Sequence, residues 1–208
     1  MKTLFVSIFL LLINAHVLAY DESKLTKKWQ HTPFGLYLNA QEAYDMKTAN
    51  PEKVLLLDVR NQAELHYTGM PETVDANIPY RFNSSDWKLK NDEKLVSFKM
   101  HKNPDFVAAV ENVLKAKNYT KESPVIIMCA TGNRAPFATR LLHKAGFKKV
   151  YAQMEGFEGI KAKEGEHKGR RVVSGWKISN LPWSYDLPAA KMYFNFEPKK
   201  NEDAKKPN

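Results

Sequence analysis

Cys129 is the one cysteine in a chain of 208 residues, and it opens the run Cys129-Ala130-Thr131-Gly132-Asn133-Arg134. The apolar stretch Val125 to Met128 before it reads as a buried strand, and Ala135 to Ala145 after it reads as a helix stopped by Gly146. A short strand-to-helix turn points several backbone N–H groups inward, and the following helix adds its positive end, so the concavity favours an anion. Gly132 supplies a backbone conformation closed to other residues. The same donors stabilise a negative sulfur at the first position, which makes Cys129 a candidate nucleophile. A lone thiol leaves two other readings open, a small buried hydrophobe and a half-partner in a disulfide between chains.

The elements that would carry this turn alternate in type. Leu36 to Leu38 suits a short strand, and Asn39 followed by Glu42 forms a capping box for a helix running toward Lys47. Val54-Leu55-Leu56-Leu57-Asp58-Val59 is a continuous apolar run, as expected of a parallel strand covered on both faces. Pro104 opens a helix through about Lys117, with Phe106, Val107, Val110, Val113 and Leu114 on one stripe. Val150-Tyr151-Ala152 is a further strand. Strands separated by helices imply right-handed crossovers and a mainly parallel sheet. Ligands of such sheets sit beyond the carboxyl ends of the strands, where Cys129 stands.

Composition bounds the function. A chain of this length buries a core without disulfides, and a single cysteine excludes both a disulfide scaffold and a cysteine zinc site. The basic excess, 32 Lys and Arg against 23 Asp and Glu for a net charge of +9, is spread over the tail and a late loop, which argues against a nucleic-acid partner. Met1-Lys2-Thr3, the apolar run Leu4 to Ile13 and a segment ending Val17-Leu18-Ala19 form the pattern of a cleaved secretory signal peptide. That run falls short of the roughly 20 residues needed to span a bilayer, so no membrane association is expected after cleavage. A periplasmic location follows, with outright secretion as the alternative. The polar segment from Tyr20 to about His31 reads as loose, and the tail from Pro198 as disordered.

Several short motifs then coincide. Leu55-Leu56-Leu57-Asp58-Val59-Arg60, with Glu64, Gly69 and Pro71, Ala76-Asn77-Ile78-Pro79, the Cys-x-x-Gly-x-Arg loop, and Gly175-Trp176 with Leu181-Pro182, together resemble a single-domain rhodanese, a sulfurtransferase. The resemblance covers about residues 35–185. It implies a rhodanese-like α/β fold, a mainly parallel five-stranded sheet flanked by helices on both faces, and a cysteine that cycles between thiol and persulfide. Carried over by motif, Cys129 bears the sulfur and the backbone of Ala130, Thr131, Gly132, Asn133 and Arg134 cradles it, while Asp58 with Arg60 braces or lines the site. The partners implied are a small anionic sulfur donor of the thiosulfate kind and a thiol or cyanide-like acceptor; no cofactor and no metal is called for. The organisation expected is a signal peptide at 1–19, a lead segment at 20–34, a rhodanese-like domain at 35–190 with a basic insert at about 160–174, and the tail at 198–208.

The chain departs from that family pattern in three places. Gly69-Met70-Pro71-Glu72-Thr73-Val74-Asp75-Ala76 is longer than the family segment and lacks its histidine, Ala130 stands where many relatives carry arginine, and an extra segment precedes Gly175-Trp176. In that segment Lys161, Lys163, Lys168, Arg170 and Arg171 outnumber Glu164 and Glu166. It reads as a solvated surface loop or, if it overhangs the site, as a surface that steers anionic donors or docks an acidic partner protein. Two alternative functions remain: a rhodanese-like module that binds a partner without turnover, and a cysteine phosphatase or arsenate reductase of the same fold. The latter enzymes carry Cys-x5-Arg, whereas Arg134 gives Cys-x4-Arg, a ring better sized for one sulfur than for a tetrahedral oxyanion.

Overall fold

A computed structural model describes residues 20–90 and 94–199. The expected signal peptide and residues 200–208 of the expected tail lie outside the described residues, and Pro198 and Lys199 carry no regular structure. In chain order the elements are β1 (Tyr37–Leu38), α1 (Ala40–Ala49), β2 (Leu55–Asp58), α2 (Gln62–Thr68), β3 (Met70–Pro71), β4 (Ala76–Asn77), β5 (Arg81–Lys90), β6 (Leu95–Lys102), α3 (Phe106–Ala116), β7 (Val125–Met128), α4 (Ala135–Lys144), β8 (Val150–Gln153) and β9 (Trp183–Ser184). Five strands form the main sheet in the order β1-β8-β7-β2-β4, every pairing parallel. The expected five-stranded α/β sheet is therefore what the chain builds. Among the described residues no helix is long and apolar enough to cross a membrane.

Strand periodicity divides the core into two layers. Leu55 and Leu57 of β2 and Val125 and Ile127 of β7 point to one face, against Phe106, Val110 and Val113 of α3 and Ala138 and Leu142 of α4. Leu56 and Ile126 point to the other, against Ala40 and Ala43 of α1, Leu65 of α2, and Trp176. Both faces are apolar, which is why these strands read as unbroken hydrophobic runs. The capping box at α1 forms as expected, Asn39 accepting from the Glu42 amide at 2.8 Å and Glu42 accepting from the Asn39 amide at 2.8 Å. The α3 helix opens at Phe106, two residues after the expected Pro104, because Asn103 and Asp105 organise the turn before it.

The lead segment is not loose. Residues Glu22–Lys24 and Lys28–Gln30 form single 3₁₀ turns, Tyr20 and Leu25 are buried in the α3/α4 core layer, and Trp29 stacks on Phe137 with ring centroids 5.9 Å apart. Arg140 of α4 donates to the carbonyls of Trp29 and His31 at 3.0 and 2.7 Å. Two apolar anchors and one arginine order a segment whose composition is polar. Near the other end, Tyr193 and Phe196 join the same layer, whereas Tyr185 and Phe194 stay exposed.

The ribbon of β5 and β6 was also not evident in the sequence. It is a separate antiparallel pair, with Trp87 opposite Phe98 and Leu89 opposite Val96. These side chains alternate as strand residues do, yet all are exposed, and a register shift between Asn83 and Trp87 interrupts the period. The extended segment before β4 is pinned rather than floppy: β3 pairs with β9, and Asp75 accepts from the Leu56 amide and bridges Lys47, both at 2.8 Å.

If Arg140 is what orders the lead segment, Arg140→Ala raises amide hydrogen exchange in residues 20–31 by about tenfold or more while β2 and β7 keep their protection. Unchanged exchange across 20–31 would assign that order to Tyr20 and Leu25 alone.

Candidate active site

The site is assembled where β2 and β7 end side by side. The Val59 amide donates to the Met128 carbonyl at 2.8 Å, so the chain leaves both strands in register. Cys129 follows directly and is fully buried. The Arg134 amide, at the start of α4, donates to Cys129 Sγ at 3.4 Å; it is the one loop amide that reaches the sulfur among the described residues. With the α4 N-terminus behind it, this contact supplies the anion-favouring end expected from the strand-to-helix turn.

The rest of the loop is fixed from outside by the segment after β8. Phe157 donates its amide to the Cys129 carbonyl at 2.7 Å, and Glu158 and Gly159 donate to the Ala130 carbonyl at 2.9 and 3.3 Å. Two glycines allow this fit. Gly132 has φ +75°, and a Cβ there would run into the Met154 carbonyl; Gly156 has φ +76°, and its Cβ would meet the Ala130 carbonyl and the Thr131 amide. Within the loop of Ala130, Thr131, Gly132, Asn133 and Arg134, the Ala130 carbonyl is held by these supports and the Arg134 amide reaches the sulfur.

Asp58 and Arg60 brace the site and do not line an open one. Both side chains are fully buried. Arg60 Nε donates to both Asp58 oxygens at 3.0 Å and Nη2 to Asp58 Oδ2 at 2.6 Å, while Nη1 reaches Thr68 Oγ1 at 2.7 Å and Nη2 the Gly69 carbonyl at 2.8 Å. The guanidinium lies 4.0 Å from the centre of the Phe157 ring. Lys177 covers Phe157 and Trp183; burial, and then the Arg60 charge, push its ammonium below the usual lysine value.

The Arg134 side chain is committed to Glu64. Its Nη1 donates to Glu64 Oε2 at 2.7 Å and its Nη2 to Glu64 Oε1, a two-pronged clamp between α4 and α2. Burial raises the Glu64 carboxyl, but the Arg134 hydrogen bond and charge, with the Asn61 amide, outweigh it and hold the group below its ordinary value. Burial likewise opposes the charge on Arg134, and the Glu64 hydrogen bond and the charge at Cys129 outweigh it upward. Sequence reading quoted Glu64 within a motif without a role. Asn61, three residues before it, caps α2 and accepts from the Glu64 amide at 2.9 Å, a pattern identical to Asn39 and Glu42. Asn77 likewise stands in a quoted motif without a role; its amide group donates to the Asp58 and Arg60 carbonyls at 3.0 and 2.8 Å.

Comparison with known proteins fits this geometry. A family profile described as Rhodanese-like domain matches residues 39–163. The chain belongs to the rhodanese-like family. Uncharacterized proteins of Rickettsia conorii and Rickettsia prowazekii are 27% and 26% identical over 144 residues, covering 69% of this chain and 93% of theirs. Among solved structures, Rv0390 from M. tuberculosis is 25% identical, with a TM-score of 0.49, over 72% of this chain and 97% of that one. The polysulfide-sulfur transferase homodimer of Wolinella succinogenes is 22% identical, with a TM-score of 0.42, over 74% and 80%. The profile match begins after the lead segment and ends at residue 163, within the expected basic insert.

Glu64→Gln tests the clamp. Loss of this largely buried ion pair lowers stability by about 2–4 kcal/mol at pH 7, somewhat under the range for fully buried pairs. Because the folded carboxyl titrates below the ordinary 4.5, its stabilisation is complete above that value and lost as pH falls through the folded one. Urea denaturation should therefore show the gap between wild type and Glu64→Gln closing as pH is lowered from 7 toward 3; a gap independent of pH would remove the carboxylate's charge from the account.

Proposed function

We propose that this rhodanese-like protein is a sulfurtransferase that carries a sulfane sulfur as a persulfide on Cys129. The observation that carries the reading is the position of the sole cysteine at the end of β7, under the Arg134 amide and the N-terminus of α4. With thiosulfate as donor, the Cys129 thiolate attacks the outer sulfur, the S–S bond of thiosulfate breaks, and sulfite leaves with the bonding pair. An acceptor such as cyanide then attacks the terminal sulfur of the persulfide and releases thiocyanate and the Cys129 thiolate. The Arg134 amide and the helix end stabilise negative sulfur in both resting forms. Full burial of the thiol means that each exchange needs local opening around the loop.

One contact argues against phosphate or arsenate chemistry. Both terminal nitrogens of Arg134 are engaged by Glu64, so the guanidinium that would grip two oxygens of a tetrahedral anion is held elsewhere. The Met1 to Ala19 pattern supports export as part of this proposal, with the periplasm as the compartment, where a lone thiol has no internal disulfide partner.

Thiocyanate release from thiosulfate and cyanide tests the activity. Wild type should turn over, and Cys129→Ser should retain the fold by circular dichroism and lose turnover by about a thousandfold or more, since an alcohol forms no persulfide. Full turnover by Cys129→Ser, or phosphatase activity in the wild type exceeding its sulfur transfer, would overturn the assignment.

A further inference from the structure

The β5/β6 ribbon carries a two-faced pattern that the site at Cys129 does not use. Its cross-strand pairs fix which side chains share a face, because partners directly opposite each other, and residues two apart along a strand, lie on the same side. Trp87 stands opposite Phe98 and Leu89 opposite Val96, so these four form one face. Lys88 stands opposite Ser97 and Lys90 opposite Leu95, and Lys99, two residues beyond Ser97, joins them on the other. The apolar face lies open along its length: Trp87 is 57% exposed, Leu89 43%, Val96 60% and Phe98 68%. The base of the ribbon is tied to the body, where the Asn61 side-chain amide donates to Asn83 Oδ1 at 2.9 Å and Phe82 packs on the ring of Tyr193. Residues 81–102 hold six Lys or Arg against three Asp or Glu.

A two-stranded ribbon is marginal in water without a cover for its apolar face, and an open stretch of Trp, Phe, Leu and Val marks a docking surface. Two covers compete. A second copy would bring another chain of net charge +9 against the first, and like-signed fields of that size oppose close approach. A bilayer surface with anionic headgroups suits both faces of the ribbon. Tryptophan and phenylalanine settle at the boundary between headgroups and acyl chains. When an apolar face sinks about 5–10 Å into that boundary, the cations of the opposite face come level with the headgroups, and each adds attraction to anionic lipid. We propose that the β5/β6 ribbon is a membrane-surface anchor that lies in the interface of an anionic bilayer, with Trp87, Leu89, Val96 and Phe98 facing the acyl chains and Lys88, Lys90 and Lys99 among the headgroups. The sequence expectation of no membrane association rested on the lack of a spanning run, and a ribbon that lies in the interface needs none. The anchor is independent of the chemistry at Cys129.

Vesicle co-sedimentation tests the anchor. The chain beginning at Tyr20, which contains all of β1 to β9 and α1 to α4, is used so that the apolar run Leu4 to Ile13 cannot itself partition into lipid. Binding is expected to vesicles of equimolar phosphatidylcholine and phosphatidylglycerol, and it should weaken about tenfold or more on phosphatidylcholine alone and likewise in about 0.5 M salt. Trp87→Thr with Phe98→Thr, which keeps strand propensity, and separately Lys88→Gln with Lys90→Gln and Lys99→Gln, should each weaken binding about tenfold or more while circular dichroism stays unchanged. Lys161→Gln with Lys163→Gln, on the basic insert, should bind within about threefold of the parent. In the mixed vesicles, phosphatidylcholine brominated on its acyl chains should quench the share of tryptophan emission that Trp87→Phe removes, a readout that holds even where the threonine pair perturbs the ribbon. No vesicle binding, binding unmoved by both ribbon variants, an equal loss on neutralising Lys161 and Lys163, or Trp87 emission untouched by the brominated lipid would overturn the anchor. A concentration-dependent dimer in sedimentation velocity, dissociated by Trp87→Thr with Phe98→Thr, would overturn it in favour of a second copy on the same face.

Discussion

A guanidinium without a partner is not tolerated inside an apolar core, and Arg60 is fully buried. Everything at the strand ends is arranged around its donors. Asp58, the last residue of β2, supplies both carboxylate oxygens, and at the end of α2 the Thr68 hydroxyl accepts from Nη1 and the Gly69 carbonyl from the other N–H of Nη2. The flat face of the cation lies against the Phe157 ring, a favourable contact. The amide of that same residue holds the Cys129 carbonyl. One chain of contacts therefore runs from a buried charge to the backbone of Cys129, and removing one member of the buried pair would leave an uncompensated charge costing about 3–5 kcal/mol.

This arrangement gives the loop its character. The carbonyls of Cys129 and Ala130 are held by the residues after β8 and the Arg134 side chain by Glu64, so this part of the loop is braced from outside. Among the described residues, the Arg134 amide is the one loop donor that reaches the sulfur. A cradle of that kind suits a single anionic sulfur better than a phosphate, which needs many inward donors. The thiol is fully buried, so the proposed exchange requires local opening around it.

The sequence disclosed what burial makes loud and missed what partners make necessary. Leu55 to Leu57 and Val125 to Met128 announce themselves because both faces of each strand are covered, and Cys129 to Arg134 because a lone cysteine, a glycine and an arginine meet at a strand-to-helix turn. Glu64 and Asn77 stayed silent, since a polar residue's role depends on which distant atom it meets. Asn61 with Glu64 was readable by the rule already applied to Asn39 with Glu42, although α2 is too short to show a helical stripe. Tyr20, Leu25 and Trp29 were lost among charged neighbours, where three apolar residues at irregular spacing carry no period. The β5/β6 ribbon escaped because its alternating apolar residues face solvent and therefore mark no core.

The central claim is that Cys129 takes up and holds a single sulfur. The most direct measurement is the intact mass of the folded protein after exposure to thiosulfate or polysulfide and removal of excess donor. With one thiol in the chain, the account predicts one added sulfur, about 32 Da, removed by cyanide and absent in Cys129→Ser. A folded wild-type protein that gains no mass, or one whose added mass persists in Cys129→Ser, would contradict it.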